Sequence, residues 1–176
     1  MRVVSGAARG RSLSAPLPKG VRPTTDRVKE SIFDILGSMG GVVGLSVVDL
    51  FCGSGALGIE ALSRGAAKVT FVDANQQSLD AVRANLASVG LDGARATLVR
   101  ASLPSYQPPA GDLVLMDPPY DLSVVDEVLA HLEADTVVLE SRTEPVIDER
   151  WVVHRQRRYG GTLVTVLSLH APAEVS

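Results

Sequence analysis

The chain has 176 residues, 45% of them hydrophobic, which suffices for one domain with a real core and leaves no room for a separate substrate domain. Its single cysteine, Cys52, excludes a disulfide framework or a cysteine zinc cluster, and no apolar run approaches the ~20 residues of a membrane span. The net charge of −3 conceals a segregation: residues 1–30 hold seven basic groups against two acidic (+5), residues 31–150 seven against 17 (−10), and the last 26 three against one (+2). A basic arm on an acidic body fits a polyanion partner, and equally a solvated tail in a protein with 14 Arg against three Lys.

Met1 to Arg11 is polar and basic, so no signal peptide is expected, and a soluble, cytoplasmic monomer is the expectation. Arg2 to Gly6 and Arg11 to Leu13 predict a short hairpin turning through Gly6 and Gly10, followed by an irregular stretch with Pro16, Pro18, Gly20 and Pro23. Residues 1–24 thus read as an arm and 25–176 as the main domain. Thr24, Thr25 and Asp26 offer N-caps to a helix in which Val28, Ile32, Ile35, Leu36 and Met39 recur on one face, ended by Gly37, Gly40, Gly41 and Gly44.

From Leu45 onward strands and helices alternate, predicting an α/β fold with a mostly parallel sheet covered on both faces. Strands are expected at Val47–Asp49, Lys68–Val72, Ala96–Arg100, Asp112–Met116 and Thr136–Glu140. Helices follow the first at Ala56, the second from Asn75 to Val89, and the fourth from the capping box Ser123-x-x-Asp126 to Leu132. Trp151–Arg158 and Thr162–Leu169 flank Tyr159-Gly160-Gly161 and read as a hairpin that gives the sheet an antiparallel edge.

The run from Val47 to Glu60 is a strand, a tight turn and a helix start, where open α/β sheets bind cofactors. Gly53, Gly55 and Gly58 spell G-x-G-x-x-G, and Asp73 follows Gly53 by 20 residues, a spacing that permits a dinucleotide site. A pyrophosphate seeks N–H groups without a competing anion, yet Asp49 enters the same turn. A carboxylate there suits a cofactor with a cationic centre, such as the sulfonium of S-adenosylmethionine. Asp73, placed to accept from ribose hydroxyls, fits both.

The fourth strand ends in Asp117-Pro118-Pro119-Tyr120, which should lie beside the glycine turn although about 60 residues separate them. Two prolines fix the backbone and remove two donors, leaving Asp117 and the Pro118 carbonyl as pure acceptors. Such a wall suits transfer to an exocyclic amine, whose lone pair is delocalised until acceptors hold its hydrogens in a pyramidal geometry. The Tyr120 ring can stack on a base turned out of its helix, a contact worth about 1–3 kcal/mol.

On these residues the chain resembles the class I S-adenosylmethionine-dependent methyltransferases that act on amino groups, whose signature is Asp/Asn/Ser-Pro-Pro-aromatic. Arg22-Pro23-Thr24, Asp26 to Glu30 and Phe33, Asp49 to Gly58 and Asp117 to Tyr120 further resemble the bacterial 16S ribosomal RNA (guanine-N2) methyltransferase family, and the likeness includes Gly10-Arg11 and Tyr159-Gly160. The resemblance implies a Rossmann-like sheet with a small N-terminal extension, and methyl transfer from S-adenosylmethionine, without a metal, to a guanine of small-subunit RNA within a protein-containing 30S particle. It implies a cofactor set of Asp49, Phe51, Gly53, Ser54, Gly55, Gly58, Asp73 and Ala74, with Ser102 standing where the family usually places Asp or Asn for the adenine. Asp117, Pro118, Pro119 and Tyr120 then hold the target amine.

RNA contacts are expected from Arg2, Arg9, Arg11, Arg22, Arg27, Arg155, Arg157 and Arg158, with the arm brought toward Asp117 by the first helix. Competing readings are an adenine-N6 DNA methyltransferase, a protein glutamine methyltransferase and a non-catalytic nucleotide-binding regulator. The first generally needs a target-recognition domain that this length excludes, and the second leaves the basic arm without a role. His131, His154 and His170 have no ligand spacing, and Cys52 reads as a small turn residue.

Overall fold

A computed structural model describes residues 1–14, 25–119 and 123–170. Seven strands form one sheet in the order β3-β2-β1-β4-β5-β7-β6. They are β1 (Ser46–Leu50), β2 (Lys68–Asp73), β3 (Ala96–Arg100), β4 (Gly111–Met116), β5 (Ala134–Ser141), β6 (Trp151–Tyr159) and β7 (Thr162–Leu169). The first five pair in parallel and the last two close the edge as an antiparallel hairpin. Strand order reverses between β1 and β4, and such a switch point opens a crevice at the carboxyl ends of the strands.

The helices α1 (Asp26–Ser38), α2 (Ala56–Ser63), α3 (Gln76–Ser88) and α4 (Ser123–His131) cover both faces. Because side chains alternate along a strand, Val47, Phe71, Leu115 and Val138 pack with α1, α2 and α3 on one face. Val48, Val72, Met116 and Leu139 pack with α4 on the other. Thr25 Oγ1 caps α1 by accepting from Val28 N at 3.3 Å. The expected stop at Gly37 is passed: α1 runs on to Ser38 and ends at Gly40 and Gly41, both at positive φ.

The arm is closed by a single bridge between Arg2 and Ser12. It is no solvated tail, since Val3, Ala8 and Leu13 are buried in the core shared with α1 and α2. One carboxylate and one hydroxyl of α2 hold it. The buried Glu60 carboxylate accepts from Val4 N at 2.8 Å and Ser5 N at 2.9 Å, and Ser63 Oγ accepts from Ala8 N at 3.0 Å. A Cβ on Gly6 would fall 1.8 Å from the Ser63 carbonyl oxygen, so only glycine permits this approach.

Lys29, fully buried, answers the Glu60 charge at 3.5 Å, reaches Asp26 at 3.6 Å and donates to the Arg2 carbonyl. Burial pulls its ammonium below the ordinary lysine range, against the opposing pull of Glu60 and Asp26. Removing one partner of a buried pair strands the other charge at a cost of about 3–5 kcal/mol. Glu60→Gln should therefore lower stability by roughly 3 kcal/mol and raise amide exchange at Val4 and Ser5 first. Urea denaturation and hydrogen exchange check this, and unchanged exchange at those two amides would contradict it.

Candidate active site

The turn after β1 is built for close approach. Phe51 adopts φ 56, a conformation that bulky residues rarely hold, and Gly53 and Gly55 follow at φ 52 and 76. Gly58, inside α2, has ordinary backbone angles but no space: a Cβ would meet the Phe71 ring at 2.4 Å and Asp49 Oδ2 at 2.9 Å. That proximity lets Gly58 N donate to Asp49 Oδ2 at 2.9 Å. Gly53 N donates to Asp73 Oδ2 at 3.0 Å, while Asn75 N donates to Oδ1 at 2.8 Å. Asn85 Nδ2 ties the Ser54 carbonyl to α3 at 3.0 Å.

These bonds separate the two cofactor readings of the glycine motif. A pyrophosphate is held by free N–H groups of such a turn and helix start, and here Gly53 N in the turn and Gly58 N in the first turn of α2 are already bonded to carboxylates. The turn presents anions to the site.

A cavity of about 710 Å³ opens at the carboxyl edge and is lined by Asp49, Phe51, Gly53, Ser54, Asp73, Ala74, Ser102, Asp117, Pro118 and Pro119, among others. Such a volume accommodates a cofactor with part of a substrate. Asp73 ends β2, Asp49 and Glu140 stand one residue before the ends of β1 and β5, Asp117 directly follows β4, and by alternation all four fall on the face covered by α1. Asp49 pairs with Phe71 and Leu115, so it lies two residues deeper than Asp73 and Asp117.

Burial holds the Asp49 carboxyl well above its ordinary range; the Gly58 bond opposes this and the charges of Asp117 and Asp73 add to it. Cys52, also pushed up by burial and by Asp49 and Asp73, stays a thiol and gives no nucleophile. A site of this charge favours a cation, and the residues present fit the sulfonium cofactor that the sequence suggested.

The comparisons with known proteins agree. The family described as Conserved hypothetical protein 95 matches residues 1–168. The chain is 33% identical over 187 residues to the ribosomal RNA small subunit methyltransferase D of Escherichia coli (strain K12), covering 99% of this chain and 92% of that protein. The protein of the same name from Haemophilus influenzae is 32% identical over 91% of this chain and 89% of its own length. The solved structure of Escherichia coli yhhF matches with a TM-score of 0.83 at 32% identity, covering 98% of this chain and 99% of that one. The chain belongs to this family of S-adenosylmethionine-dependent rRNA methyltransferases.

Within the family fold, the structure brings together every described residue expected at the cofactor and the target except Gly55 and Gly58, which support the cavity from behind its wall. Tyr120 and Arg22 lie outside the described residues. The expected placement of the arm is corrected for its turn and for Arg11. Its turn rests on Ser63, at the end of α2 remote from the cavity, and Arg11 Nη1 donates to Val89 O at 2.6 Å, capping α3. The reason is directional: α2 and α3 run back from the carboxyl edge, so residues docked on their last turns are carried away from Asp117. Arg2, by contrast, pairs at 3.8 Å with Asp26, the first residue of α1, next to Thr25 of the cavity wall.

The hairpin arginines are better placed. Arg155 and Arg157 stand opposite Val166 and Val164 of β7, on the α1 face, and Glu140 also stands opposite Val164. Arg158 Nη1 donates to the carbonyl of Arg142, a residue of the cavity wall. Sequence reasoning missed Thr25, Val28, Glu140 to Thr143, Gly161 and Thr162 in that wall. Only Glu140 carried a signal, since Thr136 to Glu140 is an apolar run closing in a carboxylate, as β1 and β4 are.

The raised Asp49 carboxyl yields a test with a definite sign. A carboxyl whose folded-state value is raised favours the fold while protonated, and that contribution is lost as pH climbs from the unfolded value near ~3.9 through the raised one. Asp49→Asn keeps an acceptor for Gly58 and removes the charge. It should be more stable than the parent at pH 8 and show a smaller advantage at pH 4, measured by urea denaturation. An equal advantage at both would contradict the assignment.

Proposed function

We propose that this protein transfers the methyl group of S-adenosylmethionine to the exocyclic N2 amine of a guanine in small-subunit ribosomal RNA, met within a protein-containing particle. The observation that carries the reading is the continuity of one cavity from the Asp49 and Asp73 carboxylates, suited to a cationic cofactor, to the acceptor wall of Asp117 and Pro118. The names of the relatives support the RNA. The cofactor, when bound, supplies a methyl group on a positively charged sulfur.

The protein's part is to bind and orient. Asp73, already aligned by Gly53 and Asn75, offers its remaining acceptor capacity to ribose hydroxyls. Asp117 and the Pro118 carbonyl accept the two hydrogens of the target amine and turn its lone pair toward the methyl group, which must come within about 3–3.5 Å. The methylated amine is strongly acidic and loses its proton without a tuned base. Tyr120, next in the chain, supplies the stacking surface for the flipped base. Val28 and Thr25 at the start of α1 close the cavity from above, which sets Arg27 beside its mouth.

Asp117→Ala should reduce transfer by at least about a hundredfold, the scale of one transition-state contact, with cofactor affinity unchanged within twofold. Labelled methyl transfer to undermethylated 30S particles, followed by nucleoside analysis, and calorimetry with S-adenosylmethionine read the two quantities. The expected product is N2-methylguanosine. Activity of the variant within tenfold of the parent would remove Asp117 from the mechanism.

The β6 edge should hold the RNA backbone. Arg155→Ala and Arg157→Ala should each weaken particle binding and flatten its log–log salt dependence by roughly 0.7 to 0.9. Arg11→Ala, which uncaps α3, should leave the salt slope nearly unchanged. A larger slope change for Arg11 than for the hairpin pair would return the docking role to the arm.

A further inference from the structure

The cavity wall contains a carboxylate for which cofactor binding and amine activation leave no task. Glu140 is 5% exposed and lines the cavity at the end of β5. The parallel register pairs Leu115 with Val138 and Met116 with Leu139, so the next pair along the strands is Asp117 and Glu140. Neighbouring strands lie about 4.8 Å apart, and alternation turns both side chains toward the α1 face. Asp49 and Asp73, on the β1 and β2 side, complete the cofactor half; Glu140 lies beyond Asp117, on the side away from them.

We propose that Glu140 selects guanine by accepting the N1–H of the flipped base whose N2 amine is held at Asp117. This rests on the guanine-N2 reading above and deepens it. Guanine presents N1–H and N2–H₂ side by side, an uninterrupted row of donors, and two carboxylates on adjacent strands answer such a row. Adenine presents a bare N1 lone pair beside its amine, and cytosine a bare N3, so an acceptor oxygen at this place repels both. A buried polar group left facing an unmatched base carries the desolvation cost that makes such sites selective. The wall around Glu140 is made by Ser141, Arg142, Thr143, Gly161 and Thr162, so that among the described lining residues Glu140 is the carboxylate beyond Asp117.

The test uses the full-length protein and reconstituted small-subunit particles whose target guanine, once mapped, is replaced by 2-aminopurine. That base keeps the N2 amine and has a bare N1. The parent should methylate guanine in preference to 2-aminopurine by at least roughly tenfold, the scale of one lost base contact. Glu140→Gln, whose amide can both accept and donate, should transfer to guanine more slowly and bring the preference close to one. It should bind S-adenosylmethionine as the parent does.

An unchanged preference in Glu140→Gln overturns the proposal while leaving guanine-N2 transfer intact. A parent that yields N6-methyladenosine overturns the underlying reading, whatever the variant does. Should Glu140→Gln fail to fold by calorimetry and thermal denaturation, Glu140→Asp decides: retained preference at a reduced rate supports the proposal, and loss of preference with the carboxylate still present overturns it.

Discussion

The hydrogen bond from Gly58 N to Asp49 Oδ2 is the constraint on which the site depends. It places a carboxylate under the start of α2, where an anionic ligand would otherwise be drawn, and it requires glycine at 58 because Phe71 leaves no space for a Cβ. The same contact fixes how closely α2 approaches β1 and β2, and the strained turn through Phe51, Gly53 and Gly55 is the path the chain takes to get there. Asp73 repeats the device on the next strand by holding Gly53 N. The fold thus bonds Gly53 N of the turn and Gly58 N of the helix start internally and sets carboxylates along the cavity.

The Asp49 carboxyl is raised chiefly by its burial, and the charges of Asp117 and Asp73 add to the rise. The row of carboxylates also organises the molecule. It follows the carboxyl ends of β2, β1, β4 and β5 in spatial succession, and the sheet then turns basic at its β6 edge with Arg155, Arg157 and Arg158. A polyanionic substrate would be drawn to that edge and repelled from the deep cavity, so that only a base carrying hydrogen-bond donors enters. A dinucleotide-binding regulator has no use for this polarity.

Much of this was legible in the sequence because it follows from local rules. Apolar runs closing in acid marked β1 and β4, the glycines marked the turn, and Tyr159-Gly160-Gly161 marked the antiparallel edge. What escaped depended on packing across long separations. The arm's destination was set by Glu60, Ser63 and Lys29, buried polar residues whose partners lie 27 to 58 residues away, and no periodicity reveals such pairs. Glu140 carried the same signal as Asp49 and Asp117, yet its meaning required the strand order that sets β5 next to β4. Thr25 and Val28 read as a cap and a core residue, and α1 makes them a cavity roof as well.

The central claim is that the glycine turn, with Gly53 N bonded to Asp73 and Gly58 N to Asp49, accepts a cationic cofactor and refuses an anionic one. Calorimetric titration of the protein with S-adenosylmethionine and with NAD tests it most directly. The account predicts saturable binding of S-adenosylmethionine and no measurable heat with NAD. Binding of NAD as tight as that of S-adenosylmethionine would contradict it.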